Sequence, residues 1–332
     1  MGNGNARQII YSANDVATYT MDVVDRRAAE RQEAMRSRIP TLDKHMKPLL
    51  PGETVFVSAY TSNGKTAFMS AWARNATRML QEWKDEKRVV VYITWETLVE
   101  EEGLYDLCSM TGLDASAVWY GDADDDQRQT LRGAAMRRAT APLWLIGYSL
   151  KRRREIDKMT MPKVLEALRV MEDSDGLRPA VIFLDYVQKI PPMDRRGDRR
   201  EQVLANVDAV FQLARDCGAP VVAGCQAGRQ VLERGFKLPE IGDGQETSRI
   251  EQDADKVLAL WYPCKSEAVG TIIDEVGGVT VSPNLMICGI RKQRHAASGQ
   301  VFPLHFDPGR NTFSAWGHGQ VVEEDDDEWW KQ

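Results

Sequence analysis

The chain has 332 residues, of which 43% are hydrophobic and 28% charged, and a formal net charge of −6 at pH 7. This length and apolar content permit one sizeable core, in one domain or in two. The negative charge excludes a protein that is basic over its whole surface, so any contact with nucleic acid has to use local basic patches.

Two further classes are disfavoured by what the sequence lacks. It has no long apolar run and no secretory signal at its N-terminus, so we expect a cytoplasmic protein without a membrane partner. Its five cysteines show no C-x-x-C spacing, and its four histidines form no H-E-x-x-H motif. We therefore expect neither a disulfide framework nor a metal site built from protein ligands alone.

The N-terminal part of the chain reads as a helix followed by a linker. Residues 14–36 are polar and rich in Ala, Arg and Glu, with possible helix N-caps at Ser12 and Asn14. This pattern predicts an exposed or partner-docking helix that is partly buried against another surface. Prolines at positions 40, 48 and 51 then interrupt the chain. We predict a helical arm and linker over residues 1–50, a core domain over 51–317 and a disordered acidic, aromatic tail over 318–332.

The core alternates between apolar runs and helical stretches. The runs are too apolar for half-exposed strands and suit a sheet that is covered on both faces. They lie at residues 55–59, 89–94, 143–146, 181–184, 221–224, 257–261 and 285–290, with helical patterns at 67–83, 161–171 and 200–217 between some of them. The alternation predicts an α/β fold with a mainly parallel sheet flanked by helices.

The segment 54–66, TVFVSAYTSNGKT, is an apolar run that ends in Gly64, Lys65 and Thr66. A strand that leads into a tight loop and a helix N-terminus presents backbone N–H groups to phosphate oxygens. Lys65 would neutralise phosphate charge, and the Thr66 hydroxyl would bind the Mg²⁺ that bridges the phosphates. The usual motif begins with glycine, whereas this one begins with Ala59. A strand that simply turns into a helix with an exposed lysine is the alternative.

Polar residues follow three other predicted strands, where parallel sheets place their active-site groups. Asp185 is predicted to hold Mg²⁺ across from the loop, and a turn-capping aspartate is the alternative. Glu96 is predicted to polarise the attacking water, and an acid in the first turn of a helix is the alternative. Gln226 is a weaker candidate for sensing the γ-phosphate.

Basic residues near the C-terminus form another candidate group. Lys292 and Arg294 lie at the end of the run 285–290. They are predicted to supply charge to a γ-phosphate, either in the same subunit or in a neighbouring one as an arginine finger, and a solvent-facing hairpin is the alternative. The runs 151–154 and 195–200 are also basic, and each is either a contact for nucleic acid or a solvated face.

In their order along the chain, these motifs resemble those of the DnaB-type replicative helicases, over about residues 38–316. The resemblance rests on the phosphate loop 59–66, in which the family often has alanine first, and on Glu96. It also rests on 185–188 as the Walker B motif, on the strand with Gln226, and on the segments 250–255 and 292–294. It implies a RecA-like P-loop ATPase that uses ATP and Mg²⁺, assembles as a homo-oligomer, a hexamer, and binds single-stranded DNA in preference to RNA.

The resemblance assigns each candidate residue a role. The nucleotide would contact Ala59, Ser62, Asn63, Gly64, Lys65, Thr66 and Asp185, with Mg²⁺ on Thr66 and Asp185. The catalytic residues would be Lys65, Glu96, Gln226, Lys292 and Arg294.

Two departures from the family bear on the biological role. The family's N-terminal domain is not expected in this chain, and the predicted arm would serve as the family's linker helix. Gln245 stands where the family commonly has an arginine in a DNA-contacting stretch, which here includes Glu246 and Ser248. Arg199 and Arg200 are expected in another loop that faces the ring channel, where they would contact phosphates and compensate in part.

Two functions of different classes remain open. The first is a ring-shaped motor that couples ATP hydrolysis to translocation or unwinding of DNA. The second is a nucleotide-switched assembly or loader ATPase of a mobile element or defence system, which Gln245 favours. The tail segment 323–330, EEDDDEWW, would either recruit a protein partner or serve as a solubilising tail.

Overall fold

The computed structural model describes residues 10–30, 34–152, 158–192, 198–244 and 247–317. The chain divides into two compact units, Met1–Met35 and Arg36–Gln332. Within the described residues, no helix is long and apolar enough to cross a membrane. The predicted boundaries at residues 50 and 317 stay predictions, and the tail 318–332 lies outside the described residues.

The first unit consists of one described helix, α1 (Ala13–Glu30). Ser12 and Asp15 cap its start reciprocally, because the Ser12 N–H donates to Asp15 Oδ2 over 2.8 Å and the Asp15 N–H to Ser12 Oγ over 3.1 Å. The apolar side chains of Val16, Tyr19 and Val24 are exposed. The helix is therefore shorter than the predicted 14–36, since the chain is not helical where its description resumes at Ala34.

The second unit is a helix–sheet–helix sandwich. Its helices are α2 (Pro40–His45), α3 (Lys65–Glu82), α4 (Val99–Thr111), α5 (Ala115–Tyr120), α6 (Asp125–Arg138), α7 (Met161–Asp175), α8 (Arg199–Cys217) and α9 (Thr247–Asp253). Its strands are β1 (Thr54–Ala59), β2 (Arg88–Thr94), β3 (Leu143–Ile146), β4 (Arg178–Asp185), β5 (Val221–Gln226), β6 (Lys256–Trp261), β7 (Ile272–Ile273), β8 (Val279–Thr280), β9 (Leu285–Gln293), β10 (Val301–Asp307) and β11 (Thr312–Ala315).

Among the described residues, the main sheet has the strand order β11-β10-β9-β6-β1-β5-β4-β2-β3, and β7 pairs with β8 separately. The strands from β6 to β3 in that order are parallel. Strand β9 is antiparallel to β6, and β10 and β11 continue the antiparallel pairing. The predicted α/β fold with a mainly parallel sheet is confirmed, with an antiparallel extension at one edge.

The sheet is covered on both faces, as its apolar strands require. On one face, Trp72 of α3 packs edge-on against Phe183 of β4, with ring centroids 5.8 Å apart. On the other face, Phe211 of α8 packs against Phe56 of β1 at 5.7 Å. Every residue of β1 is buried, because β1 lies in the middle of the sheet. The phosphate loop therefore follows a fully buried central strand.

Register brings the ends of the parallel strands to one edge. Ala59 at the end of β1 pairs with Gln226 at the end of β5. Thr94 at the end of β2 pairs with Asp185 at the end of β4. The residues that follow β1, β2, β4 and β5 consequently meet at the C-terminal end of the parallel strands.

Candidate nucleotide site

The loop between β1 and α3 has the backbone that a phosphate site needs. Gly64 has φ +76° and immediately precedes α3, and Ser62 also has a positive φ of 62°. The positive φ of Gly64 favours glycine at this position, because a side chain there would strain the backbone. The first N–H groups of α3 have no partner within the helix and can receive an anion. The loop geometry therefore fits a polyphosphate.

Ala59 and Asn63 have structural tasks in this loop. Ala59 is the last residue of β1 and is buried, and its strand backbone has no need of the glycine found in the usual motif. Asn63 is also buried, and its Oδ1 accepts the Tyr262 N–H over 2.8 Å, which ties the loop to the end of β6. The Asn63 side chain thus holds the loop in shape.

Lys65, Thr66 and Asp185 converge at the sheet edge. The Lys65 ammonium forms an ion pair with Asp185, and the Thr66 hydroxyl donates to Asp185 Oδ2 over 2.6 Å. The Lys65 side chain is only 11% exposed and that of Asp185 is fully buried. A Cβ at Gly224 would lie 3.0 Å from Lys65 Nζ, so the lysine reaches Asp185 across a glycine of β5. The alternatives of an exposed lysine and a turn-capping aspartate are therefore wrong.

This donor set suits Mg²⁺ with a nucleotide. A hydroxyl and a carboxylate supply the hard oxygen ligands that Mg²⁺ prefers, while phosphates and water complete its shell. The described residues contain no group of three or more His, Cys, Asp or Glu side chains that could hold a metal ion. Thr66 and Asp185 would accordingly hold the ion together with phosphate oxygens.

Glu96 lies beside this group, in the turn between β2 and α4. Its side chain is exposed, and the helix begins only at Val99, so the alternative of an acid in the first helical turn is wrong. The preceding Trp95 donates its backbone N–H to Asp185 O over 3.0 Å and its indole N–H to Met159 O over 2.7 Å. Burial raises the pKa of Tyr186, with a smaller contribution from the negative charge of Glu96.

Gln226 connects the loop to the turn that follows β4. Its Nε2 donates to Thr61 Oγ1 in the loop over 2.6 Å, and its backbone N–H donates to Gln188 Oε1 over 3.2 Å. A γ-phosphate that displaced the Thr61 contact would change the position of Gln226. Sequence reasoning missed Thr61, since a hydroxyl within a loop has no distinguishing pattern.

Lys292 and Arg294 lie at the end of the sheet where the parallel strands begin, whereas the phosphate loop lies where those strands finish. Their place at a predicted strand end had suggested the loop end. Lys292 pairs with Val257 near the start of β6, whereas Ala59, which leads into the loop, pairs with Leu260 near its end. At about 3.3 Å per residue, the offset along the strand is roughly 10 Å. The reason is that β9 runs antiparallel, which reverses its end.

The basic pair contacts the C-terminal end of α9. Lys292 Nζ donates to the carbonyl oxygens of Glu251 and Gln252 over 2.6 and 3.1 Å. Arg294 Nη2 donates to Asp253 O over 3.1 Å, and the Arg294 side chain is 46% exposed. Burial lowers the pKa of Lys292, and the nearby Arg294 adds to that effect. These side chains cap a helix that has a negative end.

The DNA-contact candidates are only partly described. Arg199 and Arg200 are not in a loop, because they form the first turn of α8 after the N-cap Asp198. Both are exposed, and Arg199 Nη2 donates to Gln188 O over 3.2 Å. Ser248 belongs to α9. Gln245, Glu246, the side chain of Ser248 and positions 153, 154, 195 and 196 of the basic runs lie outside what the structure describes.

Comparison with known proteins gives a consistent result. A family model described as the DnaB-like helicase C terminal domain matches residues 34–315. The replicative DNA helicase DnaB of Helicobacter pylori is 25% identical over 322 residues, which are 95% of this chain and 62% of that protein. A probable plasmid replicative DNA helicase of Chlamydia trachomatis is 25% identical over 315 residues, 92% of this chain and 61% of that protein. The chain thus spans about three-fifths of these curated relatives.

Solved structures share the fold. The ATPase domain of G40P superposes with a TM-score of 0.72 at 19% identity and covers 93% of this chain and 100% of that one. A DnaB-like replicative helicase, in a structure that concerns its interactions with primase, gives a TM-score of 0.71 at 20% identity over 90% of this chain and 66% of that one. At these identities the likeness concerns the fold.

Proposed function

Since the chain belongs to the DnaB-like helicase C-terminal domain family, we propose that it is a motor that binds single-stranded DNA in an oligomeric ring and couples ATP hydrolysis to translocation or unwinding. The predicted resemblance, the RecA-like fold and the assignment to an ATPase of this family are confirmed by the family match and the relatives. The oligomer, the DNA and the movement are the proposal.

The observation that carries it is the convergence of Lys65, Thr66 and Asp185 at the loop, with Glu96 in the turn after β2 and Gln226 at the end of β5. Lys65 would bind the β- and γ-phosphates, and Thr66 and Asp185 would hold Mg²⁺, which would neutralise phosphate charge. The Glu96 carboxylate orients the attacking water and takes its proton. Gln226 reports the γ-phosphate to the rest of the subunit through Thr61.

The position of Lys292 and Arg294 supports a site shared between subunits. They lie at the edge of the sheet away from their own phosphate loop, and Arg294 is partly exposed. A second copy that placed its loop against this edge would receive their charge, as an arginine finger does. This geometry favours the neighbouring-subunit alternative over the same-subunit one. The exposed apolar side chains of α1 suit a helix that docks on another copy.

A second candidate is the nucleotide-switched assembly or loader ATPase. The observation that favours it is Gln245, where an arginine would bind a DNA phosphate. In the motor proposal, Gln245, Glu246 and Ser248 contact the DNA, and Arg199 and Arg200 supply part of the missing charge. The acidic tail would recruit a protein partner in either case.

One paired measurement separates the candidates: the ATPase rate with and without single-stranded DNA, and the mass of the nucleotide-bound oligomer. Strong stimulation together with a hexamer supports the motor. Nucleotide-dependent assembly without stimulation or strand separation supports the assembly ATPase. A monomer without ATP turnover under all these conditions would overturn both.

A further inference from the structure

Glu102 is a buried carboxylate on α4 that no step above uses. Glu102 is only 3% exposed, and its carboxylate accepts hydrogen bonds from two different elements. Ser70 Oγ of α3 donates to Glu102 Oε2 over 2.7 Å. Thr97 Oγ1, in the turn that contains Glu96, donates to Glu102 Oε1 over 2.6 Å. One carboxylate therefore connects the helix that begins at the phosphate loop with the turn of the candidate base.

The hydrogen bonds continue from Thr97 to the backbone of Glu96. The Thr97 hydroxyl donates its hydrogen to Glu102, so its oxygen can accept from the Thr94 hydroxyl, 2.9 Å away. The Thr94 hydroxyl also lies 3.3 Å from the Thr97 carbonyl oxygen. Thr94 Oγ1 then accepts the backbone N–H groups of Glu96 over 3.2 Å and of Thr97 over 3.0 Å. The Glu102 carboxylate, by accepting from the Thr97 hydroxyl, is therefore linked through Thr97 and Thr94 to the backbone N–H of Glu96.

Both ends of this chain of hydrogen bonds are held in place. Ser70 lies in the buried part of α3, one of the helices packed on the sheet. Thr94 is the last residue of β2, and a Cβ at Gly147 would lie 2.9 Å from Thr94 Cγ2, so a glycine leaves the room that Thr94 occupies. Small displacements at one end are therefore transmitted to the other.

We propose that Glu102 is a positioning residue that sets the distance between the Glu96 carboxylate and the phosphate loop, by connecting Ser70 of α3 to Thr97 and Thr94 of the Glu96 turn. This inference rests on the proposed role of Glu96 as the base. It explains why an ionisable group is kept in the interior. An apolar side chain there would avoid the desolvation cost, but it would leave the Thr97 hydroxyl free to rotate.

The charge environment agrees with this role. Burial raises the pKa of Glu102 to about 7, while the hydroxyls of Thr97 and Ser70 favour the ionised form and oppose that rise. The two hydroxyls therefore favour the ionised form, which accepts from both of them, against the cost of burial.

The test uses matched substitutions in the full chain. Thr97→Val removes the hydroxyl at nearly constant shape, and Thr97→Ser keeps it. Glu102→Leu removes both acceptor oxygens, whereas Glu102→Gln keeps one. Asp106→Asn is the control, because Asp106 is a buried acid on the same helix that bonds Arg74 and Arg138 and not the Glu96 turn.

The readouts are kcat for ATP, the affinity for a fluorescent ATP analogue and the melting temperature. We expect Thr97→Val and Glu102→Leu to lower kcat about tenfold or more, with nucleotide affinity within about twofold, since misplacing a catalytic group slows the chemical step. Thr97→Ser should restore kcat, and Glu102→Gln should give an intermediate value. Asp106→Asn should lower the melting temperature and leave kcat per folded molecule near that of the unmodified chain.

Two results would overturn the inference. The first is an unchanged kcat in Thr97→Val, which does not depend on how well the Glu102 variants fold. The second is an equal loss of kcat in Thr97→Val and Thr97→Ser. Glu96→Gln is measured alongside: if it retains turnover, the proposed role of Glu96 fails, whereas if only the Thr97 and Glu102 variants are unaffected, the positioning role alone fails.

Discussion

The ammonium group of Lys65 is ion-paired with the carboxylate of Asp185, which is fully buried. Lys65 at the start of α3 follows β1, and Asp185 ends β4, so the parallel register of β1, β5 and β4 brings the two residues together. A buried ion pair of this kind is costly to break from one side, because the remaining charge loses its partner. A phosphate group and Mg²⁺ would compete with this pair for the same two side chains, Lys65 and Asp185.

Lys65→Ala should abolish ATP hydrolysis, because the phosphates lose their cation and Asp185 loses its partner. We expect kcat/KM to fall by at least ~10²-fold. Lys189→Ala is a matched control, because Lys189 lies 6.0 Å from the Tyr186 ring that Lys65 also approaches, but it has no bond to Asp185 among the described contacts. Steady-state ATPase assays check both variants. Equal losses in the two would contradict a specific role for Lys65.

Glu96→Gln should keep ATP binding and lose turnover, because the amide fills the same space and cannot take a proton from water. A loss of about 10²-fold or more in kcat is expected, with nucleotide affinity near normal, so that the nucleotide-bound assembly accumulates. Single-turnover hydrolysis and light scattering measure the two effects. The control is Glu101→Gln, a neighbouring acid that contacts Tyr105 instead. Retained turnover in Glu96→Gln would remove its assigned role.

Arg294→Ala should lose on the order of 10³ in ATPase rate and regain part of it in mixed oligomers with Lys65→Ala subunits. Each variant damages a different half of a shared site, so some interfaces in a mixture combine an intact loop with an intact arginine. Arg310→Ala is the control, since Arg310 is an exposed arginine that bonds Asp307 and Gly112. The measurement is the ATPase rate against mixing ratio. A strictly additive rate at every ratio would argue against a shared site.

Most of the sheet was predictable, for a reason that also explains what was missed. The seven predicted strands are continuous apolar runs, because both faces of the sheet are covered. In β10, the buried residues Phe302, Leu304 and Phe306 alternate with partly exposed ones, so a search for continuous runs passes over it. The short strand β11 has only one buried residue, Phe313, and was missed likewise.

The loop residues of the candidate site were predictable from local chemistry, whereas residues defined by direction or burial were not. The position of Lys292 does not follow from its own segment, because β9 runs antiparallel to β6 and that direction is set by the connection between the two strands. Glu102 is the last of three acids in the first turn of α4, and sequence does not reveal which one is buried. The first turn of α8 was mistaken for a loop, since two arginines after Asp198 suit either structure.

The last prediction concerns the pH dependence of stability that Glu102 produces. Ionisable groups on the surrounding elements interact electrostatically with this carboxyl group: Arg74 from α3, Tyr92 from β2, Tyr105 and Asp106 from α4, and Asp185 from β4. Desolvation is the largest cause of its shift, and Asp185 and Asp106 add to it. These neighbours are the same in Glu102→Gln, so a comparison of the two proteins isolates the titration of Glu102.

In the folded chain the pKa of Glu102 is about 7, against an ordinary value of 4.5 that applies when the chain is unfolded. Between these values the folded state binds more protons than the unfolded state, so the free energy of unfolding falls as pH rises. The contribution is fully present below pH 4.5 and is lost as pH rises through 7, and its size is up to about 3 kcal/mol.

Glu102→Gln has no such titration, so its stability relative to the unmodified chain should improve by up to about 3 kcal/mol between pH 5 and pH 8. Urea unfolding at several pH values in this window measures the difference. Burial also raises the pKa of Asp43, but that residue is present in both proteins, and its effect cancels in the comparison. If the two stability curves run parallel, Glu102 has the same pKa in the folded and unfolded chains, and its buried carboxylate is fully stabilised by Ser70 and Thr97.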